Sequence, residues 1–546
     1  MCGQSVAYPS ELTRAAAPAR GVSAYFIPNL AVSASLITLF YCLFLFNGYQ
    51  ALFRDSDAGW HIRTGESILA TAAIPQTDLY SFTRPGSPWF AWEWGSDALM
   101  GAVHQLGGLS AVASFYAVLI AATVWLWFQL TWILEGSFLI ACLFVVPMLS
   151  TTNIHWLARP HIIGWLFLLI MLVVAERANR AVVRKTIGAV TVRERTPDVR
   201  DSERVGTGLL AGVSLRYLIA AAALTTLWAN MHASFFLAPI ISAIYAASHI
   251  LRPLIWNLAP DPQKVRFFAA ATLVTALASL LNPHGWRLHH HLFNYLTDSA
   301  LLARIGEFQS FNFHAEGAFQ ITLTLGLAML GATLALGQKH LAHFLLSSVL
   351  IFAALRSARG LPLVALALLP IANAAITRAL AAAPNLRPVV RQAIDSVLAY
   401  SSNLRVIDIR FGGLVIAPLV ALLLFAFPNA NASFPADQFP VAAADHVEKL
   451  PVDARTLAPD KFGGYLIYRF SGSRKVFFDG RSDLYGSEFL KNYARLTQLR
   501  PGWRAQLDEF GFTHALLPND YSLVPALEAL GWKRLYADGT ATLLAR

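Results

Sequence analysis

Residues 28–48 read PNLAVSASLITLFYCLFLFNG, an apolar run without a single charged side chain. About 20 predominantly apolar residues suffice for a helix to cross the hydrocarbon core of a bilayer. Ten further runs resemble this one, although the run at 136–150 is short. We therefore predict a mainly α fold, a polytopic transmembrane helical bundle of about 11 spans. The predicted spans are 28–48, 109–130, 136–150, 161–176, 209–229, 233–251, 267–281, 319–336, 340–356, 360–377 and 412–428.

The composition of the whole chain agrees with a membrane protein. Of its 546 residues, 56% are hydrophobic and only 14% are charged, and the mean hydropathy is +0.50. Soluble domains carry about 25% charged residues. The composition therefore excludes a water-soluble enzyme and a disordered chain. Three cysteines, two of them within apolar runs, are too few for a disulfide framework.

Lysine and arginine are distributed unevenly among the connections, and the net charge is +10. One set of alternate connections holds about 19 positive charges and the other about 8, which is the bias of the positive-inside rule. The N-terminus and the basic cluster at 177–204 are then cytoplasmic, and the C-terminus is external. Because the basic residues lie in loops and not on one folded face, we expect membrane lipids, and no nucleic acid, as partners.

From about residue 429 the composition becomes that of a soluble domain. The short apolar runs 466–468, 476–478 and 515–517 are typical of strands, and segments 487–499 and 521–531 have helical spacing. We predict a cytoplasmic tail, a transmembrane domain with a long external loop, and an external soluble α/β domain. Their predicted bounds are 1–27, 28–428 with the loop at 49–108, and 429–546.

Two carboxylates, Asp55 and Asp57, directly follow the first apolar run. On an irregular loop both can face one site, where carboxylates act as a general base or chelate a divalent cation such as Mg²⁺ or Mn²⁺. We rank Asp57 above Asp55 as the base, because Asp55 follows Arg54 and can be neutralised by it. The alternative is a charge-paired loop at the end of a helix.

Other polar residues gather at the predicted external ends of the spans, on the same side as the two aspartates. Polar groups at membrane depth are costly and usually face a cavity or a partner. Arg356 and Arg359 can each bind a phosphate through two N–H groups of the guanidinium. The alternative is that they only mark the end of a span beside lipid phosphates. The candidate substrate-binding residues are His61, Glu93, Arg159, His161, His232, Glu307, Arg356 and Arg359.

Residues 55–99, DSDAGWHIRTGESILATAAIPQTDLYSFTRPGSPWFAWEWGSDAL, resemble the first periplasmic loop of bacterial membrane proteins in the GT-C glycosyltransferase superfamily. Enzymes of that superfamily take a sugar from a polyprenyl-phosphate carrier and carry an acidic motif near the end of the first span. Asp55 and Asp57 match that motif. Shorter segments resemble the same group, namely 230–232, 282–285, 305–308, 356–362 and 478–486.

The resemblance implies a GT-C-like, mannosyltransferase-like enzyme in a bacterial inner membrane that uses a polyprenyl-phosphate-linked sugar. The acceptor is then a glycan, a lipid or a protein on the outer face, and Asp57 removes its proton. A transporter or flippase for a lipid-linked or anionic solute is the alternative function, and a non-catalytic scaffold of the same fold is a third. A transporter more often shows repeats and ionisable residues at mid-membrane, which are rare here.

Overall fold

The computed structural model describes residues 21–193, 213–413, 415–426 and 432–546, and the fold is mainly helical. Parts of three sequence predictions lie outside these residues: the tail at 1–20, the basic cluster at 194–204, and the ends of the predicted spans at 209–212, 414 and 427–428.

Each of the eleven predicted spans overlaps an apolar helix. The helices up to residue 426 are α1 (Ser23–Phe26), α2 (Leu30–Phe44), α3 (Gly48–Ala51), α4 (Asp57–Thr71), α5 (Trp94–Ile133), α6 (Phe138–Asn153), α7 (His161–Arg193), α8 (Val213–Met231), α9 (Leu237–Trp256), α10 (Pro262–Ala278), α11 (Trp286–Thr297), α12 (Ser299–Leu302), α13 (Ala318–Gly337), α14 (Leu341–Arg356), α15 (Leu361–Ala382), α16 (Pro388–Asp408) and α17 (Ile416–Ala426), with 3₁₀ turns at Ala233–Phe236, Gly306–Phe308 and Ala358–Gly360.

Six helical stretches of the described chain are long and apolar enough to cross a membrane, as expected for a membrane protein. The total of about 11 crossings remains a prediction. The most buried of the six contains α15, whose residues from Leu361 to Ala375 are almost all buried. The six stretches are Ala24–Phe44, Trp94–Ile133, His161–Ala181, Ala233–Trp256, Ala318–Gly337 and Ala358–Ala382.

The external loop predicted at 49–108 is built around two helical segments. One is α4, and the other is the first part of α5, which is separated from the apolar part by a kink at Gly107 and Gly108. Gly108 has φ +61°, a left-handed conformation that costs glycine nothing. The predicted span 109–130 therefore begins where the kink redirects the chain.

The C-terminal region combines a small sheet with five helices. Strand order is β1-β2-β4-β3, with β1 and β2 parallel and the other pairs antiparallel. The strands are β1 (Thr456–Leu457), β2 (His514–Pro518), β3 (Lys533–Ala537) and β4 (Ala541–Ala545). The helices are α18 (Val441–Glu448), α19 (Asp460–Arg469), α20 (Ser482–Thr497), α21 (Trp503–Glu509) and α22 (Leu523–Ala529).

Two of the three strands expected from the sequence are absent from the described C-terminal region. Residues 466–468 belong to α19, and 476–478 contribute only an isolated bridge between Ser81 and Val476, whereas 515–517 do lie in β2. Residues 466–468 are helical because α19 packs against α4. A Cβ on Gly59 of α4 would lie 2.2 Å from the carbonyl oxygen of Gly464, so glycines allow α4 and α19 to pack backbone to backbone.

The C-terminal region is therefore joined closely to the loop at 49–108. The backbone N–H of Phe82 donates to the carbonyl of Val476 at 3.0 Å, and that of Val476 donates to Tyr80 at 2.9 Å. The hydroxyl of Thr83 donates to the carbonyl of Phe477 at 2.6 Å. These bonds fix the C-terminal region over the end of the bundle at which Asp55 and Asp57 lie.

Candidate functional site

A cavity of about 1170 Å³ lies among the helix ends, the loop at 49–108 and the C-terminal region. Sites for small molecules typically measure about 300–1,000 Å³, so this one has room for two reactants. Its charged and histidine lining residues are Arg54, Asp55, Asp57, Glu93, Asp97, His155, Arg159, His161, His232, Arg304, Glu307, Arg359, Asp460, Lys461, Asp479, Arg481, Asp483 and Arg500.

Arg159 is the centre of the polar network in this cavity. It lies in the short turn between α6 and α7, and its guanidinium contacts three carboxylates. The Nη1 atom lies 2.7 Å from Asp55 Oδ2 and 3.0 Å from Glu307 Oε1. The Nη2 atom lies 2.7 Å from Asp57 Oδ2. One buried cation thus fixes both aspartates of the D-x-D motif.

Glu307 connects this network to a second cation, Arg359. The Nε of Arg359 donates to Glu307 Oε2 at 2.5 Å, and its guanidinium carbon lies 4.4 Å from the centre of the Phe308 ring. Arg359 is 40% exposed, whereas Arg159 is only 14% exposed. Arg359 therefore has N–H groups left to bind an anion, whereas Arg159 is more buried and already contacts three carboxylates.

Asp57 begins α4, and its carboxyl is buried beside Arg159. Burial raises the pKa of the Asp57 carboxyl to about 7, although the adjacent Arg159 acts to lower it. Burial opposes the ionisation of Glu307 too, but Arg159 and Arg359 outweigh burial and hold the pKa of Glu307 well below its usual range. At neutral pH Glu307 is therefore ionised. Asp57 can accept and release a proton, because its pKa lies close to the pH.

A second group of titratable residues surrounds Glu93. Burial raises the pKa of Glu93 to about 7. Its Oε2 lies 3.9 Å from His61 Nε2, its Oε1 lies 3.5 Å from His232 Nε2, and His61 Nδ1 lies 2.6 Å from Asp97 Oδ1. Burial lowers the pKa of His232 to about 3 and that of His61 well below its usual range, so both imidazoles are neutral at pH 7.

The structure brings most of the sequence-predicted residues together, with two differences. The residues that line the cavity are Asp55, Asp57, Glu93, Arg159, His161, His232, Glu307 and Arg359. His61 does not line it; the side chain is buried behind Glu93. Arg356 does not line it either, because it ends α14 with its side chain exposed, three residues before Arg359.

Arg481 is a buried residue of the site that the candidate set did not contain. Its Nε and Nη2 donate to the two oxygens of Asp479 at 2.7 Å, and Nη2 also donates to Asp78 at 2.8 Å. The guanidinium lies 4.7 Å from the centre of the Trp89 ring. Arg481 therefore pairs both within the FDGRSD segment at 478–483 and with Asp78 of the loop at 49–108, which is 403 positions away.

The two aspartates do not fit a divalent cation as the structure places them. Asp55 and Asp57 each direct Oδ2 at the guanidinium of Arg159, so a cation already lies between the oxygens that a metal needs. Within the described ranges, no group of three or more histidine, cysteine or acidic side chains has the geometry of a metal site.

Neither a family model nor a curated protein matches the sequence. Two similar solved structures are of the Archaeoglobus fulgidus oligosaccharyltransferase, one tethered by a disulfide bond to an acceptor peptide with the NVT sequon and one in the apo form. Identity is 11% in both, and the TM-scores are 0.49 and 0.47. The alignments cover 89% of this chain and 68% and 69% of those chains. A likeness of this degree assigns no reaction or substrate to the chain.

Gly480 of the C-terminal region packs directly on the Asp57 carboxylate. A Cβ at Gly480 would lie 1.9 Å from Asp57 Oδ1, so Gly480→Ala must displace either the loop or the carboxylate. We expect this substitution to abolish most of the activity of the site while the protein remains folded. Gly539→Ala is the matched control, because a Cβ there meets nothing within 4 Å. Equal activity of the two variants would contradict the assigned position of Asp57.

Proposed function

We propose that the protein is an integral-membrane glycosyltransferase of the GT-C type, which moves a sugar from a polyprenyl-phosphate donor to an acceptor on the outer face of a bacterial inner membrane. The observation that carries this proposal is the cavity in which Asp57, with a pKa of about 7, lies beside Arg159 and within the same network as Arg359. A base and an anion site in one cavity are what this transfer requires.

The reaction is a single displacement that inverts the anomeric carbon. The acceptor hydroxyl attacks that carbon as its proton passes to Asp57, whose pKa near the working pH suits a general base. The bond from the anomeric carbon to the phosphate oxygen breaks, and its electron pair leaves with the polyprenyl phosphate. Arg359 binds the charge that develops on that phosphate through its free N–H groups.

Arg159 and Glu307 position these two groups and do not react. Arg159 holds Asp57 by Oδ2, and Gly480 packs against Oδ1, so the carboxylate is fixed from two sides. Glu307 binds both Arg159 and Arg359. It therefore fixes the position of the base, Asp57, relative to the anion-binding Arg359. His61 supports Glu93 from behind, and Glu93 lines the same cavity as a further polar contact for a sugar.

The test is turnover of a defined donor by the purified protein in lipid nanodiscs. The protein is incubated with polyprenyl-phosphate hexoses and pentoses and with an envelope extract as the source of acceptor. We expect mass spectrometry to detect free polyprenyl phosphate and a glycosylated acceptor in equal amounts. In proteoliposomes, movement of an intact donor across the bilayer without cleavage would instead favour the transporter.

The proposal also fixes the orientation of the chain. The cavity is built from the external loop and the C-terminal region, so both must lie outside with the acceptor. Reporter fusions at residue 190 and at residue 440 should therefore report opposite sides, 190 cytoplasmic and 440 external. Two fusions that report the same side would show that the span count is wrong by one and would place the cavity on the wrong face.

A further inference from the structure

A second cavity, of about 160 Å³, lies at the other end of the helix bundle. Helix α7 begins at His161, beside the first cavity, and Glu176 in the second cavity follows 15 residues later. At 1.5 Å per residue, that separation is roughly 22 Å. The second cavity is well below the roughly 300 Å³ of the smallest drug-sized sites, so it fits one small group and not a sugar nucleotide.

Positive charge dominates the lining of this second cavity. Three arginines, Arg180, Arg252 and Arg378, line it with one carboxylate, Glu176, and Arg180 also pairs with Glu135 at 3.0 Å. Glu176 is already satisfied, because it accepts from the hydroxyl of Tyr245 and lies 2.8 Å from His343 Nε2. Among the described residues no other acidic side chain lines the cavity, so the charges of Arg252 and Arg378 exceed that of Glu176. An occupant that balances the charge is therefore an anion.

The N-terminus of a long helix opens into the same cavity. Helix α14 has 16 residues, and its first three, Leu341, Ala342 and His343, are lining residues. The first N–H groups of a helix have no acceptor within the helix, and here the N-cap, His340, provides no side-chain bond. Free N–H groups and the positive end of the helix dipole together form an anion site.

Two buried nitrogen atoms at this cavity have no hydrogen-bond partner among the described residues. One is Nδ1 of His343, a side chain that is only 7% exposed, and the other is Nε of Arg252. A buried polar atom without a partner costs about 1–3 kcal/mol, so such atoms usually face a ligand or a water. Both residues line the cavity into which the helix N-terminus opens.

We propose that this second cavity binds a phosphate group. A tetrahedral oxyanion accepts from several directions at once, so it can bind the arginines and the helix N-terminus together, and His343 Nδ1 donates to it when the imidazole is protonated on both nitrogens. Such a group can belong to a phospholipid headgroup of the adjacent leaflet or to free phosphate. The site is independent of the sugar chemistry at the first cavity, so its failure would leave the proposed function untouched.

The experiment is thermal unfolding of the full chain in detergent, with inorganic phosphate or dioleoyl phosphatidic acid added at constant ionic strength. Dioleoyl phosphatidylcholine is the lipid control. We expect saturating ligand to raise the Tm of the wild type by at least about 2 °C. A rise with inorganic phosphate identifies free phosphate as sufficient, and a rise with phosphatidic acid alone identifies the headgroup.

Three variants make the result specific. Arg252→Gln should lose the ligand-dependent rise, and Arg266→Gln, an exposed arginine at the same end of the bundle, should keep it. Ala342→Asp places a carboxylate at the helix N-terminus, so it should fold and yet no longer respond. No rise in the wild type with either ligand would overturn the proposal, and so would an equal rise in Ala342→Asp.

Discussion

Asp57→Asn is expected to lower the rate of sugar transfer by about 10²–10⁴-fold, the usual contribution of a positioned general base. The amide keeps the shape of the side chain and can still accept from Arg159, but it cannot take a proton. Because burial raises the pKa of Asp57, removing its charge should not weaken folding. The measurement is transfer by purified protein, with the Tm recorded alongside.

Two further variants test the choice of Asp57. Asp453→Asn, an exposed aspartate in the C-terminal region, is the control for the substitution itself and should leave the rate unchanged. Asp55→Asn should retain more activity than Asp57→Asn, because Asp55 acts through Arg159. Near-normal transfer by the Asp55→Asn, Asp57→Asn double variant would end the proposed mechanism and make the transporter the leading function.

Arg159→Gln is expected to have the largest effect on stability. The substitution leaves Asp55 and Asp57 without their shared cation, and breaking a buried ion pair in this way costs about 3–5 kcal/mol. Transfer should be lost as well, because the base is no longer held. The matched control is Arg287→Gln, at an exposed arginine on the same predicted side of the membrane.

The pH dependence of this destabilisation has a definite sign. The folded pKa of Asp57 is raised to about 7, so its contribution to stability is complete below its unfolded pKa near 4 and is lost as the pH rises through about 7. Arg159 lowers the pKa of Asp57, and removing Arg159 raises it further. The difference in Tm between the wild type and Arg159→Gln should therefore be larger at pH 8 than at pH 5. An equal difference at both pH values would contradict the shared-cation network.

The helical part of the fold was predictable because the length of an apolar run can be read from consecutive residues of the sequence. The runs that begin at 28, 109 and 360 each contain enough apolar residues to define a helix without tertiary information. The approximate place of the site was predictable for the same reason. Polar residues at alternate helix ends must gather at one face of a bundle, and Asp57, Arg159 and Glu307 do so.

The partners within the site were not predictable, because they depend on contacts between distant parts of the chain. Arg159 was expected to bind substrate, yet its guanidinium is held by three carboxylates. Arg356 and Arg359 are three residues apart, and only the second lies after the end of α14 and faces the cavity. No local pattern pairs Arg481 with Asp78.

The most direct test of the account is the lipid-linked sugar pool of a strain that lacks this gene, complemented with the wild type or with Asp57→Asn. We expect one polyprenyl-phosphate sugar to accumulate in the deletion strain and one sugar to disappear from the envelope. Wild-type protein should reverse both changes, and Asp57→Asn, expressed at the same level, should reverse neither. Full complementation by Asp57→Asn, or an unchanged lipid-linked pool in the deletion strain, would contradict it.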